Sequence, residues 1–269
     1  MRPMMLSELL KTIAASDIES PSLWIERTLT TGEALEYRKE IELIENNEPL
    51  VDTRSSNIAT FEPHPHITTG APYAQYSPMC VRSGVLARLQ KAQSLLALVN
   101  PEYRLKIYDA YRPLSVQAFM IEHELNKLIE DRGIDSASLD KSLQNSLMAE
   151  VLMVWAKPDE NVSCPPPHST GGAVDLTIVD RLGNQLNMGS DIDAIGPISL
   201  PNYFKETENP NEQEYHRNRE LLCDVMTQSG FRRLPHEWWH FSYGDQMWAM
   251  LEYLNFPNSN VTAIYGRKE

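Results

Sequence analysis

Residues 167–180 read PHSTGGAVDLTIVD, and this stretch predicts both a turn and the strand around which the fold is built. Pro165, Pro166 and Pro167 exclude regular backbone pairing immediately before His168. The run AVDLTIVD then predicts a strand, and RLGN followed by QLNMG predicts a tight turn into a second strand. The stretch therefore indicates an antiparallel sheet.

Helical spacing surrounds this sheet on both sides. In VRSGVLARLQKAQSLLALVNP (81–101) apolar residues recur every three or four positions, and Asn100 with Pro101 provides the stop. RLKIYDAY (104–111) predicts a strand, and helices are predicted over 115–133, 141–156, 211–228 and 245–255. The aromatic segment FRRLPHEWWHFSYG (231–244) predicts a final strand pair, in which Trp238 and Trp239 would alternate between core and pocket.

The N-terminal part of the chain has no candidate catalytic residues. Residues 1–48 are predicted to form a helical extension, with helices around SELLKTIAAS and EALEYRKEIELIENN, ahead of a catalytic domain over 49–269. Residues 57–76 are rich in Pro, Thr and Gly and predict a loop. Its His64 and His66 have no carboxylate next to them in the sequence, so we expect them to be exposed and to have no role.

Composition narrows the classes of partner. The formal net charge is −13 in 269 residues, and no cluster of Lys and Arg offsets it, so neither nucleic acid nor membrane is an expected partner. No signal peptide or long apolar run is present, and the expected location is the cytoplasm. Cys80, Cys164 and Cys223 form no C-x-x-C pair, which argues against a thiolate metal site.

Two short segments together carry the residues of a metal site. His168 and Asp175 are separated by seven positions with small residues between them, and EWWHF places Glu237 three residues before His240. Catalytic zinc sites commonly use three protein ligands and keep a fourth position for water. We therefore predict one Zn²⁺ per chain on His168, Asp175 and His240, with Glu237 as the general base.

The same residues allow three other interpretations. His236, Glu237 and His240 match H-E-x-x-H, the zinc-binding helix of another peptidase class, but Pro235 and the adjacent tryptophans favour a strand over a helix. Two His and one carboxylate also form the triad of Fe(II) oxygenases, although those sites usually place His and the acid two residues apart. A non-catalytic zinc module would need neither Glu237 nor Arg112.

Four motifs, in order over about residues 50–255, resemble those of the D-alanyl-D-alanine dipeptidases, the zinc D-Ala-D-Ala peptidases that include the vancomycin-resistance dipeptidase. They are D-x-Y-R-P (Asp109, Tyr111, Arg112, Pro113), H-x-x-G-x-A-x-D (His168, Gly171, Ala173, Asp175), M-G-S-x-x-D (Met188, Gly189, Ser190, Asp193) and E-x-W-H (Glu237, Trp239, His240). The chain departs from the family at Pro166, where members commonly carry Ser.

The resemblance has specific implications. It implies an α+β fold with a central antiparallel sheet flanked by helices, an Arg112 that acts on the scissile carbonyl, and an Asp193 that faces the substrate amino group. A guanidinium suits the role of Arg112 because it stays charged and can donate two hydrogen bonds from one planar group. The implied activity is zinc-dependent hydrolysis of D-Ala-D-Ala or a similar small dipeptide. The alternative is a zinc carboxypeptidase or endopeptidase on the same scaffold.

Overall fold

The computed structural model describes residues 5–18, 20–135, 138–152, 155, 158 and 162–268. Strands within these ranges are β1 (Leu50–Asp52), β2 (Ala59–Thr60), β3 (Cys80–Arg82), β4 (Arg104–Asp109), β5 (Ala173–Val179), β6 (Arg232–Arg233) and β7 (His240–Ser242). Five strands form one sheet in the order β2-β4-β5-β7-β6, and β1 pairs with β3. The β4–β5, β5–β7 and β7–β6 pairs are antiparallel, whereas β2 joins β4 in parallel.

Helices cover this sheet, which confirms the predicted α+β class. The described helices are α1 (Leu6–Ala14), α2 (Pro21–Thr28), α3 (Thr31–Tyr37), α4 (Pro65–Thr68), α5 (Ser83–Val99), α6 (Leu114–Asp131), α7 (Lys141–Val151), α8 (Pro210–Gln228) and α9 (Gln246–Asn255). No helix in the described ranges has both the length and the apolar character needed to cross a bilayer.

The two faces of β5 have different roles. Every residue of β5 is buried. Because side chains alternate across a strand, Val174, Leu176 and Ile178 share one face, where they join the main hydrophobic cluster with residues of α5 and α8. Asp175 and Thr177 lie on the opposite face. Strand β5 therefore has one apolar face and one face that carries polar groups in the interior of the protein.

A register shift in β4 adds a second carboxylate to the polar face. Leu105 and Ile107 pair with Ile178 and Leu176, and the register then slips so that Asp109 pairs with Asp175. Without the extra residue, Asp109 would have pointed to the apolar face with Leu105 and Ile107. A bulge of this kind redirects a side chain at the end of a strand.

The N-terminal helices pack against the C-terminal one. Residues of α1, α2 and α3, such as Leu9 and Ile25, share a buried hydrophobic cluster with Met250 and Leu251 of α9. Arg38, just after α3, donates from Nη1 to Pro165 O at 2.9 Å. The domain boundary at residue 48 stays a prediction, but the segment before it buries its apolar side chains against the rest of the chain.

Three local predictions were wrong or too long. The helix expected over 33–47 ends at Tyr37 and a short 3₁₀ turn, because the backbone beyond it pairs with the C-terminal segment through Ile44 N to Ala263 O. QLNMG forms no strand beyond a single bridge from Gln185 to Val179. Helix α7 ends at Val151, and residues 153, 154 and 156 of the expected helix lie outside the described residues.

Candidate metal centre

The three predicted metal ligands meet on the polar face of the sheet. His168 Nε2 lies 3.2 Å from Asp175 Oδ2, His240 Nδ1 lies 3.0 Å from Asp175 Oδ1, and the two ring nitrogens are 3.1 Å apart. All three side chains are buried. The ligand atoms are thus close enough together to hold a single ion, as the spacing in the sequence predicts.

Sheet register positions two of these side chains, and a glycine turn positions the third. Asp175 and His240 are direct partners in the β5–β7 pair. His168 lies on a 3₁₀ turn, Pro167–Thr170, that ends at Gly171 with φ of +71°. The left-handed φ favours glycine, and a Cβ here would also displace the side chain of Leu50, whose Cδ2 would lie 2.4 Å away.

Arg82 stabilises the turn that carries His168, a role that no sequence motif indicated. Its side chain is fully buried. It donates from Nε to Thr170 O at 2.6 Å and pairs with Glu45 Oε1 at 2.8 Å, while its backbone N donates to Gly171 O at 2.9 Å. The segment before residue 48 therefore contributes, through Glu45, to the support of a candidate ligand.

The hydrogen bonds of the two histidines leave the correct nitrogens free for a cation. His168 donates from Nδ1 to Ala110 O at 2.7 Å, and His240 can donate from Nε2 to Ser242 Oγ at 3.3 Å. Their other nitrogens then carry lone pairs that face each other. Asp175 Oδ1 is buried and has no hydrogen-bond partner among the described residues. Imidazole nitrogens oriented in this way beside a carboxylate are the donor set that Zn²⁺ favours.

Electrostatics also match a cation site. Burial by itself raises the pKa of Asp175, but His168 and His240 outweigh it and hold the pKa below its ordinary value. The carboxylate therefore stays ionised in a buried setting. An ionised Asp175 whose Oδ1 has no hydrogen-bond partner among the described residues suits the binding of a divalent ion.

Glu237 lies beside this cluster without belonging to it. Its Oε2 is 3.8 Å from His240 Nδ1, and the side chain is buried. Burial, together with the charges of Asp175 and Asp193, raises its pKa well above the ordinary carboxyl value. A carboxyl group that holds a proton readily, next to a metal site, suits a general base that later acts as an acid.

Arg112 is held in a rigid position by carboxylates on both sides. It donates from Nε to Asp109 Oδ2 at 2.8 Å, its Nη2 lies 2.7 Å from the same oxygen, and Nη2 reaches Asp175 Oδ2 at 3.4 Å. Gln117 Oε1 accepts from Nη1 at 3.1 Å. Although Asp109 is buried, Arg112 keeps the pKa of this carboxyl well below its ordinary value. The guanidinium is thereby anchored directly beside the candidate metal ligands.

Asp193 reaches the same pocket from an irregular loop. Its φ of +65° lies in the left-handed region, which is uncommon for a non-glycine residue and marks a strained position. The buried Arg219 supports the loop by donating to Met188 O, Leu200 O and Ile198 O at 2.7–3.0 Å. No motif in the sequence pointed to this arginine.

The candidate residues enclose a small cavity of about 40 Å³. Its lining comprises Thr31, Leu35, Arg112, Gln117, Trp155, Pro166, Pro167, His168, Asp175, Asp193, Leu234, Glu237 and His240. Thr31 and Leu35 come from α3, within the segment that the sequence placed outside the catalytic domain. At Asp193 the cavity meets a wider cleft of about 740 Å³.

Two expectations for aromatic residues in this region were wrong. His64 and His66 are buried, 3% and 1% exposed, and they lie beside Asp109 rather than on the surface. The neighbouring carboxylate is Asp109 of the D-x-Y-R-P motif, 43 positions after His66. Trp238 and Trp239 are both buried, and neither lines the small cavity.

His236 lies outside the cluster. Residues 235–239 are not helical, and His236 donates from Nε2 to Leu29 O at 2.8 Å, which turns its ring toward the N-terminal segment. The H-E-x-x-H arrangement, which needs both histidines on one side of a helix, is therefore not formed here.

Comparison with known proteins agrees with this geometry. The family model described as D-ala-D-ala dipeptidase matches residues 59–259. A D-alanyl-D-alanine dipeptidase of Synechocystis sp. is 40% identical over 229 residues, which cover 82% of this chain and 92% of that protein. The D-alanyl-D-alanine dipeptidase of Escherichia coli is 30% identical and covers 64% of this chain and 71% of its own length.

A more distant likeness exists to a solved structure. The vancomycin resistance D,D-pentapeptidase VanY, solved in complex with Zn(II), aligns with a TM-score of 0.39 and 15% identity over 72% of this chain and 87% of its own. The family model and the sequence relatives decide the assignment: the chain belongs to the D-Ala-D-Ala dipeptidase family and is a peptidase.

Proposed function

We propose that the protein hydrolyses D-Ala-D-Ala or a similar small dipeptide in a zinc-dependent reaction. The observation that carries this proposal is the convergence of His168, Asp175 and His240 with Glu237 and Arg112 around one small buried cavity. Family membership supports a peptidase over an Fe(II) oxygenase. Asp193 at the boundary of the cavity supports a short substrate with a free amino group over the carboxypeptidase or endopeptidase alternative.

His168, Asp175 and His240 would hold the zinc ion, one per chain. When bound, zinc supplies Lewis-acid chemistry, since it lowers the pKa of a water molecule and polarises a carbonyl group. These residues fit a zinc ion because a ring nitrogen of each histidine is oriented toward the cluster and because the buried Asp175 Oδ1 has no hydrogen-bond partner in the described part of the chain.

Glu237 would move the proton. Its carboxylate accepts a proton from the attacking water as the C–O bond forms, and then donates it to the amide nitrogen as the C–N bond breaks. The raised pKa helps the first transfer, because a carboxylate that is poorly solvated takes up a proton readily. No other described carboxyl group combines burial, absence from the ligand set and contact with His240.

Arg112 and Asp193 would position the substrate. As the carbonyl carbon becomes tetrahedral its oxygen gains negative charge, and the anchored guanidinium of Arg112 donates to it. Asp193 would pair with the substrate ammonium, whose burial without a counter-ion would be costly. A capped substrate lacks that ammonium, and a substrate extended at its amino end carries it farther from the scissile bond, so either would leave the carboxylate without its partner.

The direct test combines metal content with a substrate panel. We expect the purified protein to contain zinc by mass spectrometry and to cleave D-Ala-D-Ala faster than L,D- or L,L-dipeptides. Cleavage of N-acetylated dipeptides and longer peptides at the same rate would overturn the dipeptidase proposal in favour of a carboxypeptidase or endopeptidase. Tightly bound zinc without hydrolysis of any peptide would favour a non-catalytic module.

A further inference from the structure

His64 and His66 form a buried polar cluster with Asp109 beside the site already described. His64 Nε2 lies 3.3 Å from Asp109 Oδ1, and His66 Nδ1 lies 3.8 Å from the same oxygen. The other ring nitrogen of His66, Nε2, lies 3.7 Å from Asp193 Oδ2. Two carboxylates with different roles, one anchoring Arg112 and one proposed to hold the substrate, thus flank a single imidazole.

The three side chains are close enough to hold a metal ion, but the hydrogen bonds argue against one. His64 Nδ1 accepts from His66 N at 3.2 Å, so the proton of the neutral ring lies on Nε2, the nitrogen that faces Asp109. A metal ligand needs the opposite arrangement, which His168 shows with its Nδ1 donating to Ala110 O. The nitrogen of His64 that faces Asp109 Oδ1 at 3.3 Å therefore carries a proton and has no lone pair for a cation.

Asp109 does not need His66 as a further donor. Its Oδ2 faces Arg112 Nε and Nη2 at 2.8 and 2.7 Å, and its Oδ1 accepts from Tyr73 Oη at 3.3 Å and faces the protonated nitrogen of His64. Tyr73 Oη lies 3.5 Å from His66 Nδ1, so it can accept the His66 proton. The lone pair of His66 is then on Nε2, on the side of Asp193.

The ring of His66 is held firmly in this orientation. It packs against Trp155 with ring centroids 5.5 Å apart, against Tyr108 at 5.9 Å and against His64 at 5.1 Å. Its Nε2 is buried and has no hydrogen-bond partner among the described residues, yet the residue lines the wider cleft together with Asp193. A buried polar atom without a partner is costly unless a ligand completes it.

We propose that His66 is a second recognition residue for the substrate amino group, acting together with Asp193. Two acceptors 3.7 Å apart can be bridged by one nitrogen at about 2.9 Å from each, an ordinary hydrogen-bond length. An ammonium carries three N–H donors, so one can reach Asp193 Oδ2 and another His66 Nε2. This inference rests on the proposed function, because it assumes that Asp193 faces the amino end of a dipeptide.

The test compares two ligands that differ only in the amino group. D-Ala-D-Ala and N-propionyl-D-alanine, which lacks the ammonium, are titrated by calorimetry into zinc-loaded protein carrying Glu237→Gln, which prevents turnover. Adding His66→Phe should raise the Kd of D-Ala-D-Ala about 10-fold or more, the size of one hydrogen bond to a charged group, and change the Kd of N-propionyl-D-alanine less than about 2-fold. His66→Gln, which keeps an acceptor, should retain part of the preference.

His123→Phe is the matched control. His123 lines the same cleft and stacks on Phe119, and it has no ion pair with Asp193 among the described residues, so both affinities should be unchanged. Equal weakening of both ligands by His66→Phe and His66→Gln would show a merely structural role and overturn the inference. Loss of a second equivalent of zinc in these variants would overturn it in favour of a metal site. Failure of the wild-type protein to hydrolyse D-Ala-D-Ala would instead reject the proposed function on which the inference rests.

Discussion

Asp175 and His240 face each other across the antiparallel β5–β7 pair, with Asp175 Oδ1 3.0 Å from His240 Nδ1. Asp109 pairs with Asp175 on the other side, so Asp109, Asp175 and His240 form one row across three strands. The distance between the two candidate ligands is therefore set by backbone hydrogen bonds. A one-residue slip of register would turn one of them to the apolar face.

Replacement of His168, Asp175 or His240 by Ala should reduce bound zinc from about one equivalent per chain to nearly none. Each side chain contributes one of three ligand atoms, and two remaining ligands hold the ion poorly. Mass spectrometry of dialysed protein measures this directly. The companion variant His236→Ala should keep its zinc, because His236 bonds to Leu29 O outside the cluster. Loss of zinc in that variant would restore the H-E-x-x-H interpretation.

Arg112→Lys should lower kcat/KM by about 10²-fold or more despite the conserved charge. The guanidinium donates to Asp109 and Gln117 from different nitrogens. The single ammonium nitrogen of Lys cannot make both contacts and also donate to the oxygen of the scissile carbonyl. Steady-state kinetics with D-Ala-D-Ala gives the result, and zinc content should remain normal. Arg132→Lys, in an exposed pair with Glu150, is the control that should retain full activity. Near-normal turnover of Arg112→Lys would show that a positive charge at this position is sufficient and that the geometry of the guanidinium is not needed.

The sequence predicts that the candidate ligands come together far better than it predicts their surroundings. His168, Asp175, Glu237 and His240 lie in motifs whose spacing reflects local turns and strand pairing, and the structure brings them together. By contrast, the proximity of His66 to Asp109 involves a bulge in β4 that redirects Asp109, and no local pattern encodes it.

The N-terminal segment shows the same limit. The spacing of its apolar residues predicts the short helix α1, but not that α9 covers these helices or that Leu35 of α3 reaches the small cavity. Those contacts join positions about 200 residues apart, which a periodicity argument cannot detect. The pairing of residue Ile44 with Ala263 similarly overrides the helical preference of its neighbours.

Ile25→Ala should destabilise the whole protein by about 2–5 kcal/mol, as is usual for a large-to-small substitution in a core. Ile25 is fully buried in the cluster that α2 shares with α9. Urea denaturation gives the change in unfolding free energy. Leu98→Ala, on an exposed position of α5, should change it by less than about 0.5 kcal/mol. If Ile25→Ala changes stability as little as Leu98→Ala, the N-terminal segment is a dispensable extension.

Asp193→Asn should raise the KM for D-Ala-D-Ala and narrow its advantage over the N-acetylated dipeptide. Asn is suited to the left-handed φ of +65° at this position, so the backbone is retained while the charge that pairs with the ammonium is lost. Kinetics with both substrates provide the comparison. Asp191→Asn in the same loop is the control, and a larger effect at Asp191 would transfer the recognition role to that residue.

Glu237→Gln should make the metal-free protein more stable than the wild type at neutral pH, although it abolishes turnover. In the folded state burial and the charges of Asp175 and Asp193 raise the pKa of Glu237 above 4.5, so the folded protein holds this proton more tightly than the unfolded chain does. As pH rises from 4.5 through the folded pKa, the unfolded chain releases the proton first and the folded state loses relative stability. Gln carries no such penalty. We therefore expect a higher Tm for the variant at pH 7, by about 2–4 °C for each kcal/mol gained, and no difference below pH 4.5, where both states of the wild type are protonated.

Differential scanning calorimetry of chelator-treated protein across this range measures the effect of Glu237→Gln on Tm, with Glu130→Gln on the exposed side of α6 as the control. A wild-type protein as stable as Glu237→Gln at both pH values would show that the folded state does not destabilise the ionised carboxylate and would leave Glu237 without the raised proton affinity that the proposed first transfer uses.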